Sequence, residues 1–187
     1  MSELRIIVAG FGGQGILFLG KLIACGGMME GKEVTWFPSY GAEMRGGTAN
    51  CTAVISDQMI GSPVVRNPDI LIAMNEASLK RFHPRIKPDG LLLFDSSLIH
   101  SPETRPDVRT IGVPASELAA SSATGVTSAN MVMFGALLAT TGIIQKESAV
   151  KALDKLTPQK RKKALEENRA AITKGMQYIA DTESRHS

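Results

Sequence analysis

The sequence has 187 residues, of which 43% are hydrophobic and 21% are charged, and its formal net charge at pH 7 is +3. These values are typical of an ordinary folded protein and exclude a disordered or fibrous chain. The positive charge is concentrated in residues 146–187, which contain ten Lys and Arg against six Asp and Glu. Because Tyr178 is the only Phe, Trp or Tyr among these basic residues and no recognition motif accompanies them, we interpret them as a solvated helix face and expect no nucleic-acid partner.

Strands and helices are predicted to alternate along the chain. The predicted strands are Leu4–Ala9, Val34–Phe37, Cys51–Ser56, Ile70–Met74, Leu91–Phe94 and Val108–Val113. The predicted helices are Ile16–Glu30, Glu76–Ile86, Ser116–Ala120, Ala129–Thr141, Lys146–Leu156 and Gln159–Asp181. Three strands, the first, fourth and fifth, are continuous apolar runs, which is typical of central strands that are covered on both faces.

This alternation predicts an α/β, Rossmann-like three-layer fold with a mostly parallel sheet. About a dozen residues without helical character join the second strand to the third, so one edge strand can run antiparallel. We expect a single domain over residues 1–187, with residues 156–187 as a helical C-terminal extension.

The longest apolar stretch, Ala129–Thr141, is too short to span a membrane. Arg5 interrupts the N-terminal apolar run, so we expect no signal peptide and a cytoplasmic protein.

A glycine-rich turn, Gly10-Phe-Gly-Gly-Gln-Gly15, follows the first strand and precedes the first helix. This order exposes backbone N–H groups and a helix N-terminus at one edge of the sheet, which suits phosphate groups. Gly12, Gly13, Gln14 and Gly15 are therefore candidate ligand-binding or interface residues, with Gln14 presented at the turn. In the alternative interpretation, the glycines only permit tight packing of the strand against the helix.

The glycine turn matches the dinucleotide-binding pattern, which also calls for an acidic residue at the end of the second strand. Here that strand is followed by Pro38 and Ser39, and Glu33 lies at its beginning. An NAD or FAD site of the usual kind is therefore disfavoured.

A second glycine- and charge-rich segment, Gly41–Gly47, follows the second strand. Its candidate site residues are Glu43, Arg45, Gly46 and Gly47. The planar guanidinium of Arg45 suits a carboxylate or a phosphate, and the two glycines allow the backbone to approach another surface closely. In the alternative interpretation, Glu43 and Arg45 form an internal ion pair that orders the segment.

The sequence predicts no catalytic residue and no metal site. Its two cysteines, Cys25 and Cys51, are interpreted as buried free thiols, and two thiols are too few for an iron–sulfur cluster or a closed zinc site. The three histidines, His83, His100 and His186, are scattered, and there is no Gly-x-Ser-x-Gly nucleophile motif. Any iron–sulfur cluster or closed zinc site must therefore lie on another chain, and the residues of this chain indicate a binding edge without chemistry of its own.

Several motifs together carry a resemblance to a known family. They are Gly10–Gly15, the segment Ser39-Tyr-Gly-Ala-Glu-Met-Arg-Gly-Gly-Thr-Ala-Asn50, Ile60–Pro63, Pro68-Asp69 and Asn130–Leu137. In this combination they resemble the gamma subunit of 2-oxoacid:ferredoxin oxidoreductases, and the likeness extends from about residue 4 to about residue 155.

The resemblance implies a subunit of an enzyme that oxidatively decarboxylates a 2-oxoacid with CoA, giving an acyl-CoA, CO2 and reduced ferredoxin. It also implies that thiamine diphosphate, magnesium and the iron–sulfur clusters belong to companion alpha and beta subunits, and in some enzymes to a delta subunit. The gamma domain would serve assembly and the side from which CoA approaches, and Arg45 would contact a CoA phosphate or a partner carboxylate. We expect the isolated chain to be inactive and to form a homodimer through its vacant partner surface.

Two other functions remain open at this stage. One is a free-standing nucleotide-binding Rossmann module or NAD/FAD dehydrogenase domain, and the other is a purely structural scaffold whose glycine loops only pack.

Overall fold

The computed structural model describes residues 3–39, 48–120, 128–158 and 162–185. The strands within these ranges are β1 (Leu4–Phe11), β2 (Glu33–Ser39), β3 (Thr48–Ser56), β4 (Ile70–Ala73), β5 (Gly90–Asp95) and β6 (Val108–Val113). The helices are α1 (Ile16–Met29), α2 (Glu76–Phe82), α3 (Ala115–Ala120), α4 (Ala129–Thr141), α5 (Lys146–Leu156) and α6 (Lys162–Ser184). The strands form one sheet in the order β2-β3-β1-β4-β5-β6.

The sheet is mixed, as the sequence predicted. Strands β1, β4, β5 and β6 pair in parallel, whereas β3 runs antiparallel to both of its neighbours, β1 and β2. The reversed strand therefore lies one place in from the edge, which β2 forms. Only residues 40–47 separate β2 from β3, and such a connection is too short for the crossover that a parallel pair requires.

Side chains of successive strand residues point alternately to the two faces of the sheet, and each face has its own core. In β1, Ile6 and Val8 join the core that includes α1, α4 and α6, while Ile7 and Ala9 join the core that includes α2. The α/β three-layer prediction is thus confirmed. The three apolar runs predicted as central strands are indeed interior ones, and every residue of β4 and β5 is buried.

Helix α6 packs closely against α4 by means of two glycines. A Cβ atom at Gly135 of α4 would collide with the backbone of Ile172, and a Cβ atom at Gly175 of α6 would collide with the backbone of Val132. Ile172 and Ile179 are buried in the same core. The C-terminal helix is therefore part of the three-layer structure and contributes to its main core.

Two predicted helices differ from the structure by more than one residue at an end. The predicted helix Glu76–Ile86 ends at Phe82 and continues as a 3₁₀ turn at His83–Arg85, because Pro84 lacks the backbone N–H that an α-helical turn needs. The described part of α6 begins at Lys162 and extends past the predicted end to Ser184. None of the helices within the described ranges is both long and apolar enough to cross a membrane.

Candidate functional site

The glycine turn lies between the end of β1 and the beginning of α1. Gly15 is the N-cap residue of α1, and its φ of 73° is in the left-handed region that favours glycine. A side chain at this position would also collide with the amide of Asn130. At Gly10, a Cβ atom would come within 2.5 Å of Ile16 Cδ1 and 2.9 Å of Met74 Cβ. Two glycines of the motif are therefore needed for close packing of the turn.

Gln14 orders this turn from the inside. Its Oε1 accepts a hydrogen bond of 2.6 Å from the Phe11 N–H, and its Nε2 donates one of 3.0 Å to the Met74 carbonyl oxygen. We predicted that this side chain is presented at the turn, whereas its amide bonds within the fold. The reason is the Met74 carbonyl at the end of the neighbouring strand, whose position the sequence motif does not reveal.

Gly12 and Gly13 are the exposed residues of the turn that remain for a ligand or a partner. Gly13 has a φ of 94° and open space where a Cβ atom would be. Their N–H groups donate to no backbone carbonyl within the described part of the chain. The assignment of Gly12, Gly13, Gln14 and Gly15 as binding residues stays a prediction.

The second candidate segment, with Glu43, Arg45, Gly46 and Gly47, lies outside the described residues. Its two flanking strands nevertheless fix where it leaves and re-enters the sheet. Thr48, the first residue of β3, is the register partner of Phe11, the last residue of β1, and Ser39 at the end of β2 is the register partner of Asn50. The sheet thus brings both ends of this segment to the edge that carries the glycine turn.

This edge is also where the connections from two adjacent parallel strands diverge. The chain leaves β1 to form α1 on one face of the sheet, and it leaves β4 to form α2 on the other face. Such a divergence opens a crevice outside the carboxyl ends of the strands, where α/β proteins bind their ligands. A cavity of about 510 Å³ occupies this position, and its lining residues are Phe11, Asn75, Glu76, Ala77, Lys80 and Leu98.

Asn75 is the buried polar residue of this cavity. It is the N-cap of α2, and its Oδ1 accepts a hydrogen bond of 2.8 Å from the Ser78 N–H. Its Nδ2 has no hydrogen-bond partner among the residues that the structure describes, although the residue is only 3% exposed. Sequence reasoning did not select Asn75, but an Asn directly between an apolar strand and a predicted helix is a helix-start signal that could have found it.

A second cavity, of about 410 Å³, lies on the α1 side of the glycine turn and includes Gly15, Phe18, Asn130 and Thr157 in its lining. Asn130 Nδ2 donates a hydrogen bond of 3.2 Å to the Gly15 carbonyl oxygen, so the second residue of α4 ties down the beginning of α1. Asn130 occupies the space where a Cβ atom at Gly15 would be, and it bonds to the Gly15 carbonyl oxygen. Asn130 therefore has a structural role at the edge of the site.

Burial is the largest cause of an altered pKa at two side chains, Cys51 and His83. Burial raises the pKa of the Cys51 thiol to about 12, so this cysteine is not a thiolate at neutral pH. Both cysteines are buried and free, as predicted. Burial, and then the charge of Arg105, lowers the pKa of His83. Within the ranges that the structure describes, no three His, Cys, Asp or Glu residues are grouped in a way that could hold a metal ion.

The model of the pyruvate ferredoxin/flavodoxin oxidoreductase family matches residues 5–178. The chain belongs to this family. The matched range includes the glycine turn, the residues of the crevice and most of α6. The resemblance predicted from the sequence motifs is confirmed.

Relatives of the chain are named as subunits of oxidoreductases that act on 2-oxoacids. The ketoisovalerate oxidoreductase subunit VorA of Methanothermobacter marburgensis is 42% identical over 137 residues, which are 73% of this chain. The alignment covers 28% of that relative, so the chain spans little more than a quarter of its length.

Two solved structures have the same fold over nearly the whole chain. The gamma subunit of a keto/oxoacid ferredoxin oxidoreductase from Geobacter sulfurreducens has a TM-score of 0.81 at 28% identity, and the match covers 97% of this chain and 99% of that one. The 2-oxoglutarate:ferredoxin oxidoreductase from Magnetococcus marinus, solved with 2-oxoglutarate, coenzyme A and succinyl-CoA bound, has a TM-score of 0.87 at 27% identity. Its match covers 97% of this chain but only 32% of the longer chain.

Proposed function

We propose that this chain is the gamma subunit of a thiamine-dependent 2-oxoacid:ferredoxin oxidoreductase, which converts a 2-oxoacid and CoA into an acyl-CoA, CO2 and reduced ferredoxin. The observation that carries the proposal is the pair of structural matches. The same fold makes up 99% of the gamma subunit from Geobacter sulfurreducens and about a third of a longer oxidoreductase chain from Magnetococcus marinus. A module that occurs both alone and within a longer chain acts together with the remaining parts of the enzyme.

The composition supports a division of labour between this chain and its companions. Cys25 and Cys51 are the only two cysteines, and both are buried, whereas an iron–sulfur cluster takes about four thiolates. The electron-transfer clusters, the thiamine diphosphate and its magnesium would therefore belong to alpha, beta or delta subunits. Ferredoxin would interact with the complex through those subunits.

The role that we propose for this chain is to build the CoA-facing side of the assembled enzyme. The exposed backbone of Gly12 and Gly13 lies at one edge of the sheet. Ser39 and Thr48, the described residues on either side of the segment with Glu43, Arg45, Gly46 and Gly47, lie at the same edge. Backbone N–H groups and a guanidinium are the groups that bind phosphates in proteins. Arg45 would contact a CoA phosphate, or a carboxylate of a companion subunit that shapes the CoA site.

Reconstitution tests the proposal directly. The chain is purified alone and with its companion subunits, and each preparation is assayed with CoA, a low-potential electron acceptor and one of three substrates: 2-oxoglutarate, pyruvate or 2-oxoisovalerate. We expect no turnover by the chain alone, turnover by the complete assembly, and a substrate preference that follows the companion subunits. Full turnover by the companion subunits without this chain would contradict the proposal.

The CoA-facing role has its own test in the complete assembly. Arg45→Ala is compared with Arg109→Ala, since Arg109 is an exposed arginine on β6 that pairs with Glu183. We expect the Arg45 variant to raise the KM for CoA about tenfold, the loss of one charge-assisted contact, and the Arg109 variant to leave it unchanged. Equal KM values for CoA together with unchanged assembly would show that the segment only packs.

A further inference from the structure

A further cavity, of about 490 Å³, lies along one face of α2 and of the 3₁₀ turn that follows it. Glu76, Leu79, Lys80 and His83 line one wall, and their spacing of three, four and seven residues places them on one stripe of the helix. The other wall belongs to residues 99–103, between β5 and β6. Of the described lining residues, Glu76 and Lys80 also line the cavity of the candidate site.

His83 is the buried polar residue of this cavity. It is 5% exposed, and its Nε2 has no hydrogen-bond partner among the described residues. Because burial and then the charge of Arg105 lower its pKa, the imidazole is neutral at neutral pH. A neutral imidazole has one ring nitrogen that accepts a hydrogen bond. A buried ring nitrogen without a partner is costly unless a ligand occupies its hydrogen bond.

The wall opposite α2 is anchored on both sides by bonds within the fold. Before it, the Ile99 N–H donates to the carbonyl oxygen of Asp95 at 3.0 Å. After it, Arg105 Nη1 donates to the carbonyl oxygen of Ile86 at 2.8 Å, which joins this part of the chain to the end of the 3₁₀ turn. The cavity is thus preorganised, and a ligand would lose little free energy in ordering it.

The charged residues of the cavity are two carboxylates, Glu76 and Glu103, and one amine, Lys80. Glu103 lies close enough to His83 for its charge to act on the pKa of the imidazole, where it opposes the larger effect of burial. The Lys80 amine lies 3.0 Å from the Glu76 carboxylate, and both side chains are more than 60% exposed. An ion pair as exposed as this one contributes little stability, so Lys80 can turn to another anion at small cost. The surplus carboxylate favours a ligand with an ammonium group, and Lys80 adds a place for a carboxylate.

Apolar side chains lie between these charged groups. Leu79 and Ile99 face each other across the cavity from its two walls and are 4% and 2% exposed. Pro84 and Pro102 complete the apolar part of the lining. A ligand that matches this lining therefore has an aliphatic part besides its two charges.

We propose that this cavity binds a free α-amino acid with an apolar side chain. The ammonium group would donate to His83 Nε2 and pair with the Glu103 carboxylate. The ligand's carboxylate would pair with Lys80, and its aliphatic side chain would pack between Leu79 and Ile99. The volume of the cavity is in the range of small-molecule sites, about 300–1,000 Å³.

Calorimetry with the full-length chain at pH 7 tests the ligand class. The probes are L-leucine, glycine without the aliphatic side chain, L-leucinamide without the carboxylate, and 4-methyl-2-oxopentanoate, which has a carbonyl oxygen in place of the ammonium group. We expect saturable binding of L-leucine with a Kd below about 1 mM. Each of the other probes should bind at least about tenfold more weakly, because each lacks one of the three contacts.

Two variants test the residues that would hold the ammonium group. Glu103→Gln removes a charge from an exposed side chain, and Glu117→Gln, at an exposed glutamate of α3, is its matched control. His83→Phe keeps a ring of similar size and removes the acceptor. We expect Glu103→Gln and His83→Phe each to weaken L-leucine binding about tenfold, with the circular dichroism of the wild type, and Glu117→Gln to bind normally.

Three results would each overturn this inference. They are no saturable binding of L-leucine by the folded wild type up to about 10 mM, binding of 4-methyl-2-oxopentanoate as tight as that of L-leucine, and equal L-leucine affinities in the Glu103→Gln and Glu117→Gln variants. These measurements use the chain alone and none of its companion subunits. They therefore leave the proposed function, which reconstitution tests, unaffected.

Discussion

Gln14 donates a hydrogen bond of 3.0 Å to the carbonyl oxygen of Met74, 60 positions further along the chain. This contact joins the turn after β1 to the residue after β4, the two places between which the crevice opens. The Phe11 N–H donates to the same side chain at 2.6 Å. One amide therefore sets the position of the glycine turn relative to the neighbouring strand and, with it, the position of Phe11 in the cavity wall.

Gln14→Ala should lower the free energy of unfolding by about 1–3 kcal/mol, because the Phe11 N–H and the Met74 carbonyl lose their partner. Urea denaturation measures this change. Gln177→Ala is the control, since Gln177 also pairs through its amide, with Asp181, but on the exposed surface of α6. A Gln14 variant as stable as the Gln177 variant would mean that the turn is ordered by its glycines alone.

Gly175→Ala should lower the free energy of unfolding by about 2–4 kcal/mol, although alanine is the better helix former. The added methyl group would meet the backbone of Val132, so α4 and α6 would have to separate. Thermal denaturation measures the effect. Gly61→Ala is the control, because a Cβ atom at Gly61 meets nothing within 4 Å. Equal melting temperatures for the two variants would contradict the close helix crossing.

Cys51 should resist alkylation by iodoacetamide in the native protein at pH 8, because burial raises its pKa to about 12 and leaves almost no thiolate. It should react at once in 6 M guanidinium chloride, and peptide mass spectrometry distinguishes the two results. Rapid native labelling would contradict the burial of this thiol.

The raised pKa of Cys51 should also make the free energy of unfolding depend on pH in the alkaline range. The pKa of Cys51 is higher in the folded protein than in the unfolded chain, so its contribution is complete below about pH 9 and is lost as the pH rises toward 12. Cys51→Ala should flatten this part of the curve of unfolding free energy against pH.

His83 should make the protein less stable at acidic pH. Burial, followed by the charge of Arg105, lowers its pKa below the ordinary value of 6.5, so the unfolded chain binds the proton more readily. The free energy of unfolding should therefore fall as the pH drops below about 6.5. His83→Phe should reduce this slope. A wild-type curve with no slope between pH 5 and pH 7 would contradict the assignment.

Much of the fold could be predicted because its signals are local. Continuous apolar runs mark β1, β4 and β5 as interior strands, and the order of strand, glycine turn and helix marks the edge at which a ligand can bind. The place of β3 in the sheet could not be predicted, because strand order depends on pairings between residues far apart in the chain. The end of α2 was placed too late, because the predicted helix Glu76–Ile86 was continued through Pro84.

Part of the candidate site could also be predicted from the sequence, and part of it could not. Gly12, Gly13 and Gly15 were found because a turn between strand and helix has a recognisable sequence. Leu98 was not found, and the helix-start signal at Asn75 does not reveal that it lines a cavity. Both depend on the neighbourhood of Phe11, which is made by the parallel pairing of β1 with β4 and of β4 with β5. Arg45 and Glu43, which the sequence also selected, lie outside the described residues and stay predictions.

The sequence by itself determined the α/β class, the glycine turn and the family, because each is written in short segments of contiguous residues. Only the tertiary structure decided that Gln14 turns inward to Met74 and that Asn130 bonds to Gly15. The same is true of the cavity where Phe11, Asn75 and Leu98 meet. The two hydrogen bonds join residues 60 and 115 positions apart, and the sheet order and helix packing that bring such residues together are properties of the whole chain.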